Sequence, residues 1–103
     1  MQRIANVEID KDAHTVSLDG APLDLTATEY KLLTTLADRR GRVQSRAQLL
    51  ESVWEAHADI QTRTVDMHVQ RLRSKLGGAG ALIETVRGFG YRLGAPDRAG
   101  RRR

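Results

Sequence analysis

The sequence contains no cysteine among its 103 residues. This absence excludes a disulfide scaffold, a thiolate zinc site and a cysteine nucleophile, and it fits a reducing cytoplasm. No apolar run approaches the roughly 20 residues that a membrane-spanning helix needs, and no signal peptide opens the chain. The length suits one small domain, so we expect a single cytoplasmic globular unit.

Acidic residues are scarce in the second half of the chain. Residues 1–50 carry seven Lys or Arg and seven Asp or Glu, whereas residues 60–93 carry six Lys or Arg against Asp66 and Glu84 alone. A local excess of positive charge is what a surface that binds a polyanion needs. The excess of positive charge alone fits a surface that only keeps the protein soluble equally well. The arrangement of the charges on the predicted helices is needed to distinguish that interpretation from a polyanion-binding surface.

Turn and capping signals predict the order of the elements. Rough alternation of apolar residues over 4–25, with Asp19-Gly20 as a hairpin turn, predicts a small antiparallel sheet. Thr26 to Glu29 and Ser45 to Gln48 match capping boxes, which begin two helices. We expect the first helix to end near Gly41 and the second near Trp54.

The C-terminal half predicts a third helix and a hairpin. The helix runs from about Thr62 to Gly77, and the GAGA segment after it is interpreted as a flexible turn. Two β-prone runs surround the turn 87–90 and predict a hairpin. The fold class is therefore α+β, a winged helix-turn-helix with an N-terminal antiparallel β-sheet, three helices and a C-terminal β-hairpin wing. We expect this domain to span residues 1–93 and residues 94–103 to form a disordered basic tail.

The third predicted helix has two unlike faces. At about 100° per residue one sector is apolar, and the opposite sector is polar and cationic. The major groove of B-DNA admits one helix, offers base-edge acceptors to Arg or Gln, and is flanked by phosphates. An arginine at the wing tip is suited to a narrow minor groove. The apolar sector contains Val65, Val69, Leu72 and Leu76; the outward one contains Arg63, Met67, Gln70, Arg71 and Ser74; the margins contain Thr64, His68, Arg73 and Lys75; and the wing arginine is Arg87.

Several of these residues have simpler interpretations. Trp54 can be plain core at a helix end, and His68 can be an ordinary surface residue. Asp66 is predicted to cap the helix or to pair with Arg63 or Gln70. His14 and His57 are distant in sequence from His68, and no nucleophile accompanies the pair of Asp66 and His68. We therefore expect no metal site, no cofactor and no enzymatic activity.

Three motifs together resemble a known family. They are LTATEYKLLTTLADRRGRVQSRAQLLESVW, RTVDMHVQRLRSKL and IETVRGFGYRL. In this order and spacing they resemble the C-terminal winged-helix effector domain of OmpR/PhoB-type response regulators, over about Ile4 to Leu93. The resemblance implies sequence-specific binding of double-stranded DNA and regulation of transcription within a two-component phosphorelay system.

The resemblance also implies roles for individual residues. Arg71 matches a position that reads a base edge, Met67 one that touches thymine methyl groups, and Arg87 the minor-groove arginine of the wing. Gln70 lies beside them and is assigned to the base contacts. The phosphate contacts that it implies are Trp54, Arg63, Thr64, His68, Arg73, Thr85 and Tyr91. Lys75, a cation at the margin of the helix, is assigned to the phosphate contacts as well.

Partners follow from the same resemblance. The loop 55–61 matches a segment that touches RNA polymerase, and two copies are expected to bind head-to-tail on direct repeats although the isolated domain is a monomer. The family attaches this domain to an N-terminal receiver, for which this chain has no room, so the chain is either an excised effector half or a stand-alone regulator. The rival hypothesis is a winged-helix protein-interaction module that binds no DNA.

Overall fold

The N-terminal residues form a four-stranded antiparallel sheet. The computed structural model describes residues 1–54 and 61–94 of the chain. The strands β1 to β4 are neighbours in sequence order, and Ile9 lies opposite Val16 in the β2–β3 register. The turn between β3 and β4 has φ of 53° at Asp19 and 83° at Gly20, so the predicted hairpin turn is confirmed. The strands are β1 (Gln2–Ile4), β2 (Val7–Asp10), β3 (Thr15–Leu18) and β4 (Ala21–Pro22).

Three helices follow, as predicted. They are α1 (Ala27–Asp38), α2 (Arg46–Trp54) and α3 (Thr62–Leu76). Both capping boxes are present: the Glu29 amide donates to Thr26 Oγ1 at 3.1 Å, and the Gln48 amide donates to Ser45 Oγ at 3.0 Å. Each box satisfies backbone N–H groups that a helix start leaves without an intrahelical partner, so these boundaries follow from local sequence.

The helices and one face of the sheet enclose the hydrophobic core. Leu36 of α1, Leu49 of α2 and Val65 of α3 have no exposed surface. Full burial of such a side chain contributes roughly 1.5–3 kcal/mol, so the core fixes how the helices lie against one another. The predicted apolar stripe of α3 is confirmed, because Val65, Val69, Leu72 and Leu76 are all buried.

The segment after α3 is ordered rather than flexible. Gly77–Leu82 forms a 3-10 helix in which Ala79 and Gly80 are buried. A Cβ at Gly80 would lie 2.6 Å from the Arg73 carbonyl oxygen, so this glycine allows the segment to pack against α3. The prediction of a flexible turn was wrong. The glycines were interpreted as a sign of backbone flexibility, but here the lack of a side chain permits close packing against α3.

The C-terminal hairpin is confirmed and is joined to the helical part. Strands β5 (Ile83–Val86) and β6 (Gly90–Leu93) pair in antiparallel fashion. Gln44, just before α2, forms a β-bridge with Tyr91, with backbone N–H···O distances of 2.7 and 2.9 Å. The hairpin therefore has a strand-like neighbour on its second edge.

The predicted tail boundary is shifted by at least one residue. Gly94 is buried and its amide donates to the Leu82 carbonyl at 2.6 Å, so Gly94 belongs to the fold. The rest of the predicted tail, 95–103, lies outside the described residues, and so do residues 55–60 of the predicted polymerase loop. Among the described residues, no helix combines the length and the apolar character needed to cross a membrane.

Candidate nucleic-acid interface

The outward face of α3 is polar and open to solvent. Arg63, Gln70 and Arg71 are exposed, and Met67 is 50% exposed, while the opposite face of the same helix is buried. Met67 is the one large apolar side chain that the described part of α3 exposes, and it lies among guanidinium and amide groups. This face combines guanidinium and amide donors, which suit the acceptors of base edges, with a thioether, which suits the methyl group of thymine.

Trp54 and His68 meet at one margin of this face. Their rings lie edge to face with centroids 5.1 Å apart. His68 Nδ1 lies 2.9 Å from the Thr64 carbonyl oxygen, which can only accept, so Nδ1 carries the proton. Trp54 is half-buried and packs against the core, and Thr64 and His68 are half-buried too. Both interpretations of Trp54 stay open, because part of its surface is core and part faces water.

Lys75 and Arg73, two predicted phosphate contacts, use their donors inside the protein. Lys75 Nζ donates to Glu29 Oε1 at 2.7 Å and to the Asp24 carbonyl at 3.0 Å, which ties the end of α3 to the start of α1. Arg73 donates twice to the Ile83 carbonyl, at 3.0 and 2.7 Å. The helical spacing predicted that both cations lie at the margins of the outward face. In the structure each of them is hydrogen-bonded to a partner within the protein.

The wing presents one cation and one aromatic side chain at its tip. Arg87 is exposed, and Phe89 is 70% exposed two residues later. The Phe89 amide donates to the Val86 carbonyl at 2.9 Å, and Gly88 between them has φ of 83°. The tip is therefore a tight turn that holds Arg87 and Phe89 out into solvent.

Gly90 fixes where the wing lies. Its φ is 149°, and a Cβ there would lie 2.0 Å from the Gln44 carbonyl oxygen. No other residue type permits this approach, since any side chain would displace the backbone of Gln44. The base of the wing is thus held against the segment that precedes α2.

Tyr91 lies at the centre of a cluster that joins the wing to α2 and α3. Its hydroxyl donates to Asp66 Oδ1 at 2.5 Å, and Arg46 Nε donates to the same oxygen at 2.8 Å. The guanidinium carbons of Arg46 and Arg73 each lie 5.6 Å from the centre of the Tyr91 ring. We call Arg46, Asp66, Arg73 and Tyr91 the Tyr91 cluster.

The structure bears on two predictions in this cluster and corrects the first of them. The predicted pairing of Asp66 with Arg63 or Gln70 was wrong, because Asp66 instead accepts from Arg46 and Tyr91. Tyr91, expected at a phosphate, is only 5% exposed and its hydroxyl proton is donated to Asp66. Thr85, in contrast, is exposed, and its oxygen accepts from Arg73 at 2.7 Å, so its own proton stays available for a phosphate.

The cluster shifts the acidities of its members. Burial raises the pKa of Tyr91, and the hydrogen bond to Asp66 raises it further. Burial also raises the pKa of Asp66, but the hydrogen bonds from Tyr91 and Arg46 outweigh burial and leave that pKa below its ordinary value. Asp66 is therefore charged and Tyr91 neutral near pH 7, the state in which their hydrogen bond is charge-assisted.

Sequence reasoning missed three residues of the interface. The bridging role of Gln44 has no local signal, since its partner is 47 positions away along the chain. Arg46 was seen only as part of a capping box, although it also carries the bond to Asp66. The exposure of Phe89 could have been predicted from the sequence. Phe89 is an apolar residue between two glycines of a turn, where no helix or strand is available to cover it.

The described residues were expected to hold no metal ion. In residues 1–54 and 61–94, no three His, Asp or Glu side chains come together in a way that could hold a metal ion. His57 lies outside these residues.

Comparison with known proteins places this geometry in a family. Residues 20–93 match the family described as "Transcriptional regulatory protein, C terminal". The response regulator ArlR of Staphylococcus saprophyticus is 47% identical over 90 residues, which cover 85% of this chain and 41% of that protein. The transcriptional regulatory protein CseB of Streptomyces coelicolor is 49% identical over 90 residues, covering 87% of this chain and 38% of that protein. This chain therefore spans about two fifths of the length of these relatives.

A solved structure agrees over almost the whole described region. The DNA-binding domain of the response regulator AdeR, crystallised in complex with an intercistronic region, superposes with a TM-score of 0.81 and 39% identity. The match covers 92% of this chain and all of that one. The sheet, the three helices and the hairpin wing thus occur together in a response-regulator domain. The chain belongs to the family of transcriptional regulatory protein C-terminal domains, the winged-helix effector domains of OmpR/PhoB-type response regulators.

Proposed function

We propose that this domain binds double-stranded DNA in a sequence-specific manner and regulates transcription, with α3 in the major groove and the wing in the neighbouring minor groove. One observation carries the proposal: a single helix buries four apolar side chains and presents Arg63, Met67, Gln70 and Arg71 to solvent. A helix of this width and chemistry fits the major groove. The AdeR domain, which shares the fold, was crystallised with DNA.

The base contacts are assigned to the exposed members of the two elements. Arg71 is proposed to read a guanine edge, Met67 to contact thymine methyl groups and Gln70 to lie beside them. Arg87 is proposed to enter the minor groove, where a narrow A·T-rich segment concentrates negative potential. All four side chains are exposed and therefore free to approach a duplex.

The phosphate contacts are assigned to polar groups at the margins of α3 and on the wing. Arg63, Thr64, Trp54 and His68 lie on α3 or at the end of α2, and Thr85 keeps a free hydroxyl proton. Lys75, Arg73 and Tyr91 are proposed to hold the interface in shape instead, because their donors are engaged inside the protein.

The larger assembly is proposed from the relatives. ArlR and CseB are more than twice as long as the matched segment. We propose that this chain is the effector part of a cytoplasmic two-component response regulator, controlled through an N-terminal receiver, and that it has no enzymatic activity. Two copies are proposed to bind direct repeats head-to-tail, with RNA polymerase contacted through the segment 55–61. Residues 1–94 would form the binding domain, and the basic tail after them would add non-specific attraction.

In vitro selection of bound duplexes from a random pool tests the proposal. We expect an enriched motif that recurs at a spacing of about one helical turn, since tandem copies place one α3 per turn. Arg71→Ala should weaken binding to the selected site by roughly 1–3 kcal/mol and relax preference at one base pair. Arg3→Ala removes the same charge from β1 and serves as the control, with little loss expected.

Two outcomes of the selection would contradict the proposal. A pool that shows no enrichment would refute sequence-specific binding. An acidic protein, rather than duplex DNA, that protects the Arg71 face would favour the protein-interaction module.

A further inference from the structure

The Tyr91 cluster connects the two elements that are proposed to enter different grooves. Tyr91 belongs to β6 of the wing, Asp66 and Arg73 belong to α3, and Arg46 belongs to α2. Asp66 lies in the first half of α3, next to Met67, so a hydrogen bond to its carboxylate acts close to the base-reading residues.

The contacts of the cluster leave the wing little freedom to turn. The phenol oxygen lies 2.5 Å from Asp66 Oδ1, and the guanidinium carbons of Arg46 and Arg73 each lie 5.6 Å from the centre of the ring. Arg73 also bonds the Ile83 carbonyl and the Thr85 hydroxyl of β5 at 2.7 Å each, so both strands of the wing are linked to α3. A hydrogen bond to an ionised acceptor is stronger than a neutral one, and the two cation–π contacts add to the attraction that holds the ring in place.

We propose that Tyr91, through its hydrogen bond to Asp66, is a positioning residue that sets the place of the wing relative to α3, so that Arg87 meets the minor groove while α3 occupies the major groove. The inference rests on the proposed function and deepens it. It assigns Tyr91 a part in DNA binding that needs no contact with DNA, because Tyr91 acts through Arg87.

A double-mutant cycle tests this coupling. Tyr91→Phe removes the hydroxyl and keeps the ring, and Arg87→Ala removes the wing cation. With the selected duplex, we expect Tyr91→Phe to raise Kd by roughly threefold or more in the wild-type background, and to change it little when Arg87 is already Ala. Such non-additivity arises only if the hydroxyl acts through the wing. Tyr30→Phe, at a tyrosine that stacks on His14, is the matched control and should leave Kd unchanged.

A second readout separates positioning from general stability. Hydroxyl-radical footprinting should show weaker protection of the minor groove beside α3 in Tyr91→Phe. Protection of guanine N7 in the major groove, measured by methylation with dimethyl sulfate, should persist. Circular dichroism at the binding temperature establishes that each variant is folded. If Tyr91→Phe is not folded there, Asp66→Asn takes its place in the cycle, since it keeps the shape and removes the charge from the acceptor.

The outcomes distinguish the inference from the proposed function. A wild-type domain that binds no duplex, or an Arg87→Ala variant with unchanged Kd, overturns the proposed role of the wing itself. If Arg87→Ala weakens binding but Tyr91→Phe is neutral, or weakens binding equally in both backgrounds, only the positioning role is refuted.

Discussion

Lys75 Nζ lies 2.7 Å from Glu29 Oε1, and this contact joins the last turn of α3 to the first turn of α1. The side chain of Glu29 is 3% exposed and that of Lys75 is 38% exposed. Glu29 also accepts from the Thr26 amide at 2.9 Å, so one buried carboxylate completes a helix cap and an interhelical ion pair. A cation that was predicted to contact a phosphate is thus part of the framework that supports α3.

Glu29→Gln should destabilise the domain by about 1–2 kcal/mol, because the amide can replace the cap but not the charge opposite Lys75. The free energy of unfolding from urea titration measures the effect. Glu8→Gln, which breaks an exposed ion pair with Arg3, is the matched control and should change stability much less. Equal losses in the two variants would show that burial of Glu29 adds nothing.

Stability should fall as the pH is lowered through and below about 4. Burial raises the pKa of Glu29, but the hydrogen bonds from Lys75 and Thr26 outweigh it and leave that pKa below its ordinary value, and Asp66 is lowered in the same sense. The unfolded chain therefore binds protons at higher pH than the folded one, and the contribution of each group, present above its unfolded pKa, is lost as pH falls through its folded pKa. Urea unfolding between pH 7 and pH 3 measures this, and Asp66→Asn should show a shallower decline than the wild type.

Gly90→Ala should destabilise the domain by about 2 kcal/mol or more, since the new Cβ meets the Gln44 carbonyl at a φ that L-residues avoid. Gly78→Ala is the control, because nothing lies within 4 Å of its Cβ. Thermal unfolding measures both variants. A mild effect of Gly90→Ala would mean that the segment before α2 moves aside easily and that the wing is not held there.

The salt dependence of DNA binding should distinguish free from engaged cations. Each phosphate contact contributes about 0.9 to the slope of log K against log salt concentration. Arg63→Ala should flatten the slope by about this amount, whereas Lys75→Met should leave it unchanged because Lys75 is bound to Glu29. Titrations at several salt concentrations, below the unfolding temperature of each variant, measure the slopes. A flattened slope in Lys75→Met would return Lys75 to the phosphate contacts.

The sequence predicted those parts of the fold that depend on neighbours in the chain. Several predicted features arise from short stretches of the chain, and all of them are present in the structure. They are the helix caps at Thr26 and Ser45, the Asp19-Gly20 turn and the apolar stripe of α3. The prediction for the GAGA segment failed because glycine is compatible with a flexible chain and with close packing alike. The neighbouring Arg73 carbonyl, which makes this segment a packed one, cannot be identified from the local sequence.

The partners of charged side chains could not be predicted from spacing. Asp66 has Arg63 and Gln70 within helical reach, yet it bonds Arg46, 20 positions away, and Tyr91, 25 positions away. Lys75 meets Glu29 across 46 positions. The tertiary structure determines which of several acceptors lies within reach of a long charged side chain. A helical projection therefore identifies the cationic face but not which of its cations lack an internal partner.

The backbone bridge between Gln44 and Tyr91 has a thermodynamic consequence for association. A two-stranded hairpin alone is at best marginally stable in water. Here the second edge of β6 is hydrogen-bonded at 2.7 and 2.9 Å, so the wing has its shape before any duplex arrives. Little conformational entropy is then lost at the moment of contact, and more of the favourable interaction proposed for Arg87 remains as affinity.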